Sequence, residues 1–535
     1  MANRLFSYIP LRRPKKNVFD LSHDVKLSLD MGQLIPIYVE DIVPGDKFRV
    51  RTEVMLRFAP MLAPIMHRVN VYTHFFFVPY RLLWKDWEDF ITGGRTGTAS
   101  PVFPRYSLSD SGVINKGTLF DYLGFPAGQT LPVGYSFSKM PFLAYQLVYD
   151  QYYRDQNLEQ PVIEASLPGV SGSSLVNISG MNGGSSVQSL RYRAWEKDYF
   201  TSALPWAQRG GEVNLPFSGE APVDWRVESS GQKIGVLGGV TGIGGTADLS
   251  SVNVSDATGA IPASTHLDAS VDFSNASSVT INDLRRSIKL QEWLEKNARG
   301  GARYIEQIFS HFGVKSSDAR LQRAEFLGGG KTPVMISEVL QTSAAFDVTP
   351  DVSTTPLASM AGHGISVGST HEFTRFFEEH GLVMGIMSVM PKTAYQQGTP
   401  RMFTKFDKFD YYFPEFAHLG EQEIKNKELY TTNDQTYNEG TFGYTPRYAE
   451  YKYRESRVCG DFRDQLNYWH LGRIFSSTPN LNSTFVHPDS STLNRIFAVQ
   501  DDKTQHLWCQ VYHNIKAVRP MPKFGVELKI RQRCQ

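Results

Sequence analysis

The sequence predicts a mainly β protein: a sandwich in which distant segments pair and long insertions occupy the loops. Three observations carry this. Aromatic residues reach 13% of a 535-residue chain that also holds 44 glycines and 29 prolines, the mixture that many strands joined by turns require. Segments with strand patterning stand near both ends of the chain and again around residue 385. The connections between them are very long, which favours pairing of distant strands over a row of independent domains.

The clearest strand runs from Phe48 to Phe58. Phe48, Val50, Thr52, Val54, Leu56 and Phe58 alternate with Arg49, Arg51, Glu53 and Arg57, behind Lys47. So regular a period of two puts one face on a core and the other in water or against a polar partner. Val69 to Val78 (VNVYTHFFFV) is apolar on both faces and rich in β-branched and aromatic residues, as a central strand covered on both sides would be. Gly381 to Met390 (GLVMGIMSVM) stops at Pro391, and Gln505 to Val518 stops just before Pro520. Both are bounded by breakers, as strands should be.

The largest insertions are expected within residues 85–345. Phe90 to Val133 is rich in Gly, Ser and Pro, and a helical pattern follows near Phe142 to Tyr153. Ala207 to Val279 differs in kind: it has eleven glycines, including the run GVLGGVTGIGG from Gly235 to Gly245, and three Lys/Arg against eight Asp/Glu. Its only aromatics are Phe217, Trp225 and Phe273. Such a stretch cannot build a large core of its own, so it is either disordered or a small β-like excursion propped up by neighbours. Helix resumes at Thr280, with Thr280 or Asn282 as N-cap, an apolar side of Ile281, Leu284, Ile288, Leu290, Trp293 and Leu294, and a stop at Gly300 and Gly301. A second, short helix spans Tyr304 to Phe312 and ends at Gly313.

The formal net charge of +1 demands no polyanionic partner globally, so any basic function must be local. Cys459, Cys509 and Cys534 are odd in number and lack C-x-x-C spacing, which argues against a disulfide framework and a zinc site and for synthesis in a reducing cytosol. In the N-terminal MANRLFSYIPLRRPKK the cations follow a very short apolar stretch, the reverse of a signal peptide's order, so secretion is not expected. No apolar stretch approaches the roughly 20 residues of a membrane-spanning helix, and a soluble protein is expected.

No catalytic, metal or cofactor site emerges. GGGKT at Gly328 to Thr332 imitates the end of a phosphate-binding loop, but Glu325 stands where that motif needs Gly and Pro333 interrupts the helix that should follow. A plain glycine loop is the expectation. Gly235 to Gly245 has no G-x-G-x-x-G register. His371 and Glu372 start no H-E-x-x-H, since Phe376 follows, and His67 and His74, on or beside strands, suit packed or hydrogen-bonded rings better than metal ligands. GVSGS at Gly169 to Ser173 ends in Ser where a nucleophile elbow ends in Gly. The acids Asp407, Asp410, Glu415, Glu421 and Glu423 lie among aromatics (KFDKFDYYFPEF), a composition a carbohydrate cleft could use, but an aromatic-rich packing surface with solvated charges is the better reading.

The termini are more informative. Arg4, Arg12, Arg13, Lys15 and Lys16 precede the first acid, Asp20, with Phe6 and Tyr8 interleaved, and Lys529, Arg531 and Arg533 close the chain. Cations release counterions from phosphates and rings stack on bases, so such ends suit sequence-independent binding to single strands.

Several long strings in order resemble the major capsid proteins of gokushoviruses, a branch of the microviruses, small icosahedral phages with circular single-stranded DNA. They are FDLSHDVKLSLDMGQLIPIYVEDIVPGDKF (Phe19 to Phe48), MHRVNVYTHFFFVPYRLLW (Met66 to Trp84), AWEKDYFTSALPWAQRG (Ala194 to Gly210), LQEWLEKNARGGARYIEQIFSHFGVKSSDARLQRAEFLGGG (Leu290 to Gly330), ISEVLQTS (Ile336 to Ser343) and VRPMPKFGV (Val518 to Val526). The resemblance implies an eight-stranded antiparallel jelly roll of viral capsid type with long loop insertions containing some helices. It implies sixty copies in a T = 1 shell, in a virion assembled in the bacterial host cytoplasm.

Residues 1–24 are then expected as an interior-facing basic arm, and 25–535 as one jelly-roll domain with its insertions. Within it, 207–279 forms an outward protrusion near the three-fold axis, serving host attachment; Phe217, Trp225, Gly235, Gly239, Gly242, Gly245, Asp256 and Phe273 mark it. The partners implied are packaged single-stranded DNA, a small basic DNA-condensing protein, an internal scaffolding protein, a DNA-pilot protein and a bacterial surface receptor. Outside that family, a carbohydrate-binding or carbohydrate-active jelly roll is the alternative.

Overall fold

The computed structural model of the chain describes residues 15–109, 111–162, 175–178, 188–211, 213, 223–227, 255–256, 259–260, 267–271, 281–301, 303–342, 359–369, 372–501 and 504–524. Its principal strands in chain order are β1 (Asn17–Asp20), β2 (His23–Leu29), β3 (Ile35–Ile42), β4 (Lys47–Phe58), β5 (Val69–Pro79), β6 (Glu325–Pro333), β7 (Met335–Leu340), β8 (Met360–Ser369), β9 (Phe373–Phe376), β10 (Gly381–Pro391) and β11 (Leu507–Arg519). They make two sheets. In the seven-stranded sheet, β1 and β2 both pair with β11, β11 with β4, β4 with β8 and β9, and β8 with β7; the four-stranded sheet runs β6-β5-β10-β3. Every pairing within both sheets is antiparallel. The longest joins the two ends of the chain, from Phe58 opposite Leu507 to Lys47 opposite Val518.

Alternation along β4 decides its faces. Phe48, Val50, Thr52, Val54, Leu56 and Phe58 are buried, while Lys47, Arg49, Arg51, Glu53 and Arg57 are exposed. Each large apolar side chain in that row contributes about 1.5–3 kcal/mol on leaving water. Its one polar member, Thr52, meets Nδ1 of the buried His513 at 2.9 Å, which removes the cost of an unsatisfied hydroxyl. Opposite this row stand Val69, Val71, Phe75 and Phe77 of β5 and Val383, Met387 and Val389 of β10, closing a single core between the sheets.

β5 and β10 are covered on their other face too, as the apolar pattern predicts. Phe76, Val78, Leu382, Met384 and Ile386 pack into a second core with Tyr106, Phe120 and helix α1 (Met140–Val148), which continues as a π-helical turn over Tyr149–Tyr153. The insertion between β5 and β6 therefore begins by forming a layer over the four-stranded sheet. A third core draws Tyr199, Phe200 and Ala203 together with Tyr395, Ile424, Leu429, Phe442, Phe485 and Val486. It organises the long connection between β10 and β11.

Two expectations need correction. The glycines at Gly328 to Thr332 are not a loop but the middle of β6, in register with β5 from Gly328 opposite Phe75 to Thr332 opposite Val71. The reason is steric: a Cβ on Gly329 would lie 2.5 Å from the Thr73 carbonyl oxygen and 2.6 Å from the His74 ring. At the helix start, Asn282 is inside the first turn of α2 (Ile281–Gly300) and not ahead of it, and Thr280 lies outside the described residues. The short helix is present as α3 (Tyr304–Phe312), stopped by Gly313 in the left-handed conformation at φ 69°.

By its contacts the chain divides into two compact units, residues 1–207 with 298–535, and residues 208–297. Within the second, Val223–Val227 pairs antiparallel with Leu267–Val271, and Ser255–Asp256 with Gly259–Ala260.

Candidate interaction surfaces

The chain enters the seven-stranded sheet at Asn17, opposite Arg519, so the boundary drawn after residue 24 falls inside β2. Of the basic residues at the termini, only Lys15 and Lys16 are described, and Lys15 is exposed. Lys16 donates from Nζ to the Gly45 carbonyl at 2.9 Å and lies 4.9 Å from the centre of the Phe376 ring. Arg4, Arg12, Arg13, Lys529, Arg531 and Arg533 lie outside the described residues. Where β11 ends, Arg519 bonds Asp46 at 3.1 Å and approaches Glu40 at 3.4 Å, which fixes the exit of the C-terminal segment.

Of the residues marking the insertion, Trp225 stands opposite Ala269 in one strand pair and Asp256 opposite Gly259 in the other. Phe217, Gly235, Gly239, Gly242, Gly245 and Phe273 lie outside the described residues.

Residues that resemble chemical motifs have structural employment. Lys331 of the GGGKT string bonds Glu196 at 3.0 Å, and Lys392 bonds the other oxygen of that carboxylate at 3.0 Å. Burial works against the Glu196 charge, but hydrogen bonds from Tyr72, Lys331 and Lys392 outweigh it and hold the carboxyl at about 2. The His67 ring bonds the Lys392 carbonyl, and the His74 Nδ1 meets the Tyr153 hydroxyl at 2.7 Å. Burial pushes both rings down to about 4. In the acidic aromatic segment, the Asp410 carboxylate accepts from the backbone N–H groups of Phe406 and Asp407, both at 3.0 Å. Those bonds, that from Asp407 foremost, lower its pKa, the wrong direction for a general acid.

Two carboxylates escaped the sequence reading. Glu428 and Glu450 flank Arg401 at 3.1 and 3.8 Å in a cavity of about 650 Å³. Burial raises Glu428, whereas Glu450, opposed by burial, is lowered by Lys405 and Gln422. Both acids are bound to cations, which suits an ion-pair network more than a paired-acid cleft.

The other surface missed is the outward face of the seven-stranded sheet. On its central strands β4 and β11, the exposed residues are Lys47, Arg49, Arg51, Glu53, Arg57, Trp508, Gln510, Tyr512, Asn514 and Lys516. The signal was present in the sequence, since four of the six outward residues from Lys47 to Arg57 are cations. The matching row of the last strand is interrupted by Trp508 and Tyr512, which hides its period.

Against known proteins, a family described as "Capsid protein (F protein)" matches residues 7–528. The chain is 35% identical to "Capsid protein VP1" of Chlamydia phage 1, covering 98% of this chain and 97% of that one. It is 33% identical to "Capsid protein VP1" of Bdellovibrio phage phiMH2K, covering 97% of each, and 30% identical to "Capsid protein VP1" of Spiroplasma virus 4, covering 94% of each.

Proposed function

The chain belongs to the phage capsid protein (F protein) family, and from that premise we propose that sixty copies close a T = 1 icosahedral shell around circular single-stranded DNA. Its role is structural: it is a capsid protein of a microvirus-type bacteriophage and a component of the virion.

Strand order carries the reading further. With β1 set aside as a continuation of β2 along β11, β7 set aside as an edge addition beyond β8, and β8 and β9 sharing the position against β4, eight positions follow along the chain. One sheet then runs first-eighth-third-sixth and the other fifth-fourth-seventh-second. That order supports an eight-stranded jelly roll, in which two antiparallel sheets wrap the chain so that its ends become neighbours. The insertions leave from loops between positions, where added length disturbs the sandwich least.

The remaining assignments extend the same reading. The basic termini, Arg4 to Lys16 and Lys529 to Arg533, face inward to the DNA. Residues 207–279 face outward near the three-fold axis, where three copies bury against one another what one core-poor segment cannot bury alone, and there they meet a bacterial surface receptor. A net charge of +1 leaves most phosphate neutralisation to a small basic DNA-condensing protein, while an internal scaffolding protein and a DNA-pilot protein complete assembly. Free thiols at Cys459 and Cys509 accord with assembly in the reducing host cytoplasm.

The test is to produce the chain with its scaffolding partner and sediment the product. Closed particles of megadalton mass, visible as shells by electron microscopy, are expected. A chain that stays monomeric under every assembly condition overturns the proposal.

A further inference from the structure

We infer that the outward face of the seven-stranded sheet, centred on Trp508 and Arg57, is a seat for single-stranded DNA and thus the inner wall of the shell; this rests on the shell reading above.

The register places the groups. Trp508 stands directly across from Arg57, Asn514 from Arg51, and Lys516 from Arg49; on the far side Trp508 faces Ser28 and Gln510 faces Lys26, while Tyr512 stands between the acids Glu53 and Asp24. Trp508 is 49% exposed and Tyr512 37% exposed, and among the described residues no layer covers these two rings. Beside Trp508, a cavity of about 660 Å³ is lined by Lys26, Arg57, Tyr122, Gln505 and Gln510, with one carboxylate, Asp121, whose Oδ2 accepts from the Gly117 N–H at 2.8 Å. That volume admits a nucleotide, with a ring to stack on and two cations for its phosphate.

Charge argues for the same occupant. Cross-strand like charges destabilise a sheet, yet Lys516 lies opposite Arg49. That pair is relieved only at its margins, by Glu372 beside Arg49 and by Asp20 opposite Lys516. Arg51 reaches Glu53 at 3.4 Å, both side chains more than half exposed, an arrangement of little strength in water. Lys26, Lys47 and Arg57 meet no carboxylate within ion-pair distance among the described residues. A phosphate supplies the partner that these three cations lack.

A second observation is independent of the cavity. The described end of the basic arm lies at this face: the Lys16 ammonium rests on Phe376, an exposed residue of β9 opposite Lys47. The arm and the sheet face thus form one continuous basic surface. Single strands suit it better than duplex, because the exposed Trp508 ring beside Arg57 can stack on unpaired bases.

The experiment uses the full-length chain and its particles. A fluorescent oligothymidylate is titrated against wild type, Trp508→Ala, and a triple variant carrying Lys26→Gln, Arg51→Gln and Arg57→Gln. A control neutralises exposed Lys315, Arg320 and Lys408 instead. Trp508→Ala is expected to bind about ten-fold more weakly, and the triple variant to lower the slope of log affinity against log salt by about 2, at about 0.7 per phosphate contact; the control changes neither. In particles packaged with bromodeoxyuridine-substituted DNA, ultraviolet crosslinks are expected at Trp508 or Tyr512. Wild-type shells that carry DNA while crosslinks map elsewhere, or variants that bind and package as wild type does, overturn the inference alone. Absence of wild-type shells instead overturns the reading on which it rests. Crosslinks from this face to protein identify it as a subunit or scaffold contact and also overturn the inference.

Discussion

His513 stands on β11 with both ring nitrogens engaged, Nδ1 with the Thr52 hydroxyl at 2.9 Å and Nε2 with the Ile37 carbonyl at 3.0 Å. The Nε2–H therefore donates and Nδ1 accepts, which fixes the neutral tautomer. Burial pushes its pKa down to about 4. The sign follows from linkage. Above pH 6.5 the ring is neutral folded or unfolded and contributes nothing; between 6.5 and 4 only the unfolded chain takes up the proton, so stability falls as pH falls. For a residue with no exposed surface, the loss amounts to about 3 kcal/mol. His67 and His74 act in the same direction. Urea unfolding from pH 7 to pH 4 should show this decline, and His513→Gln should flatten part of it. An unchanged slope in that variant would remove His513 from the account. The sequence suggested only that His67 and His74 were packed rings; His513 drew no notice, because its partners come from segments hundreds of residues away.

Among the elements, β6 is the one whose identity the sequence conceals. A run of three glycines carries no side-chain period, and turn propensity argues for a loop. Its strand character is imposed by β5, whose crowded Thr73 and His74 admit a backbone without Cβ at Gly329. Gly329→Ala should therefore destabilise the fold by about 1–3 kcal/mol, read from the denaturation midpoint at unchanged m-value. Gly313→Ala, in open space but at positive φ, should cost only about 1 kcal/mol. Equal effects would mean that backbone conformation, not the approach to β5, governs both. By contrast β4, β5, β10 and β11 were legible at once, since alternation or an unbroken apolar run states directly which faces are covered.

For the whole molecule, the separation of a sandwich from its insertions makes a prediction about assembly and host range. Replacing residues 214–279 by a short Gly/Ser linker should leave the two sheets folded, since neither draws a strand from that stretch. The thermal midpoint of the subunit should move by only a few degrees while adsorption of particles to host cells is lost. Collapse of the sandwich core in this variant would contradict the insertion's independence, and undiminished adsorption would contradict its role. The sequence by itself determined the fold class, the best strands, the character of the 207–279 segment and, through strings spread over the chain, the family. These are properties of local pattern and composition. Only the tertiary structure decided that β6 is a strand, that residues 17–29 belong to the sheet, that the connection after β10 shares a core with Tyr199 and Phe200, and that the cation-rich row of β4 and the row of β11 that carries Trp508 form one face. Each of those depends on which distant segments become neighbours, and pairing across hundreds of residues leaves no period in either partner alone.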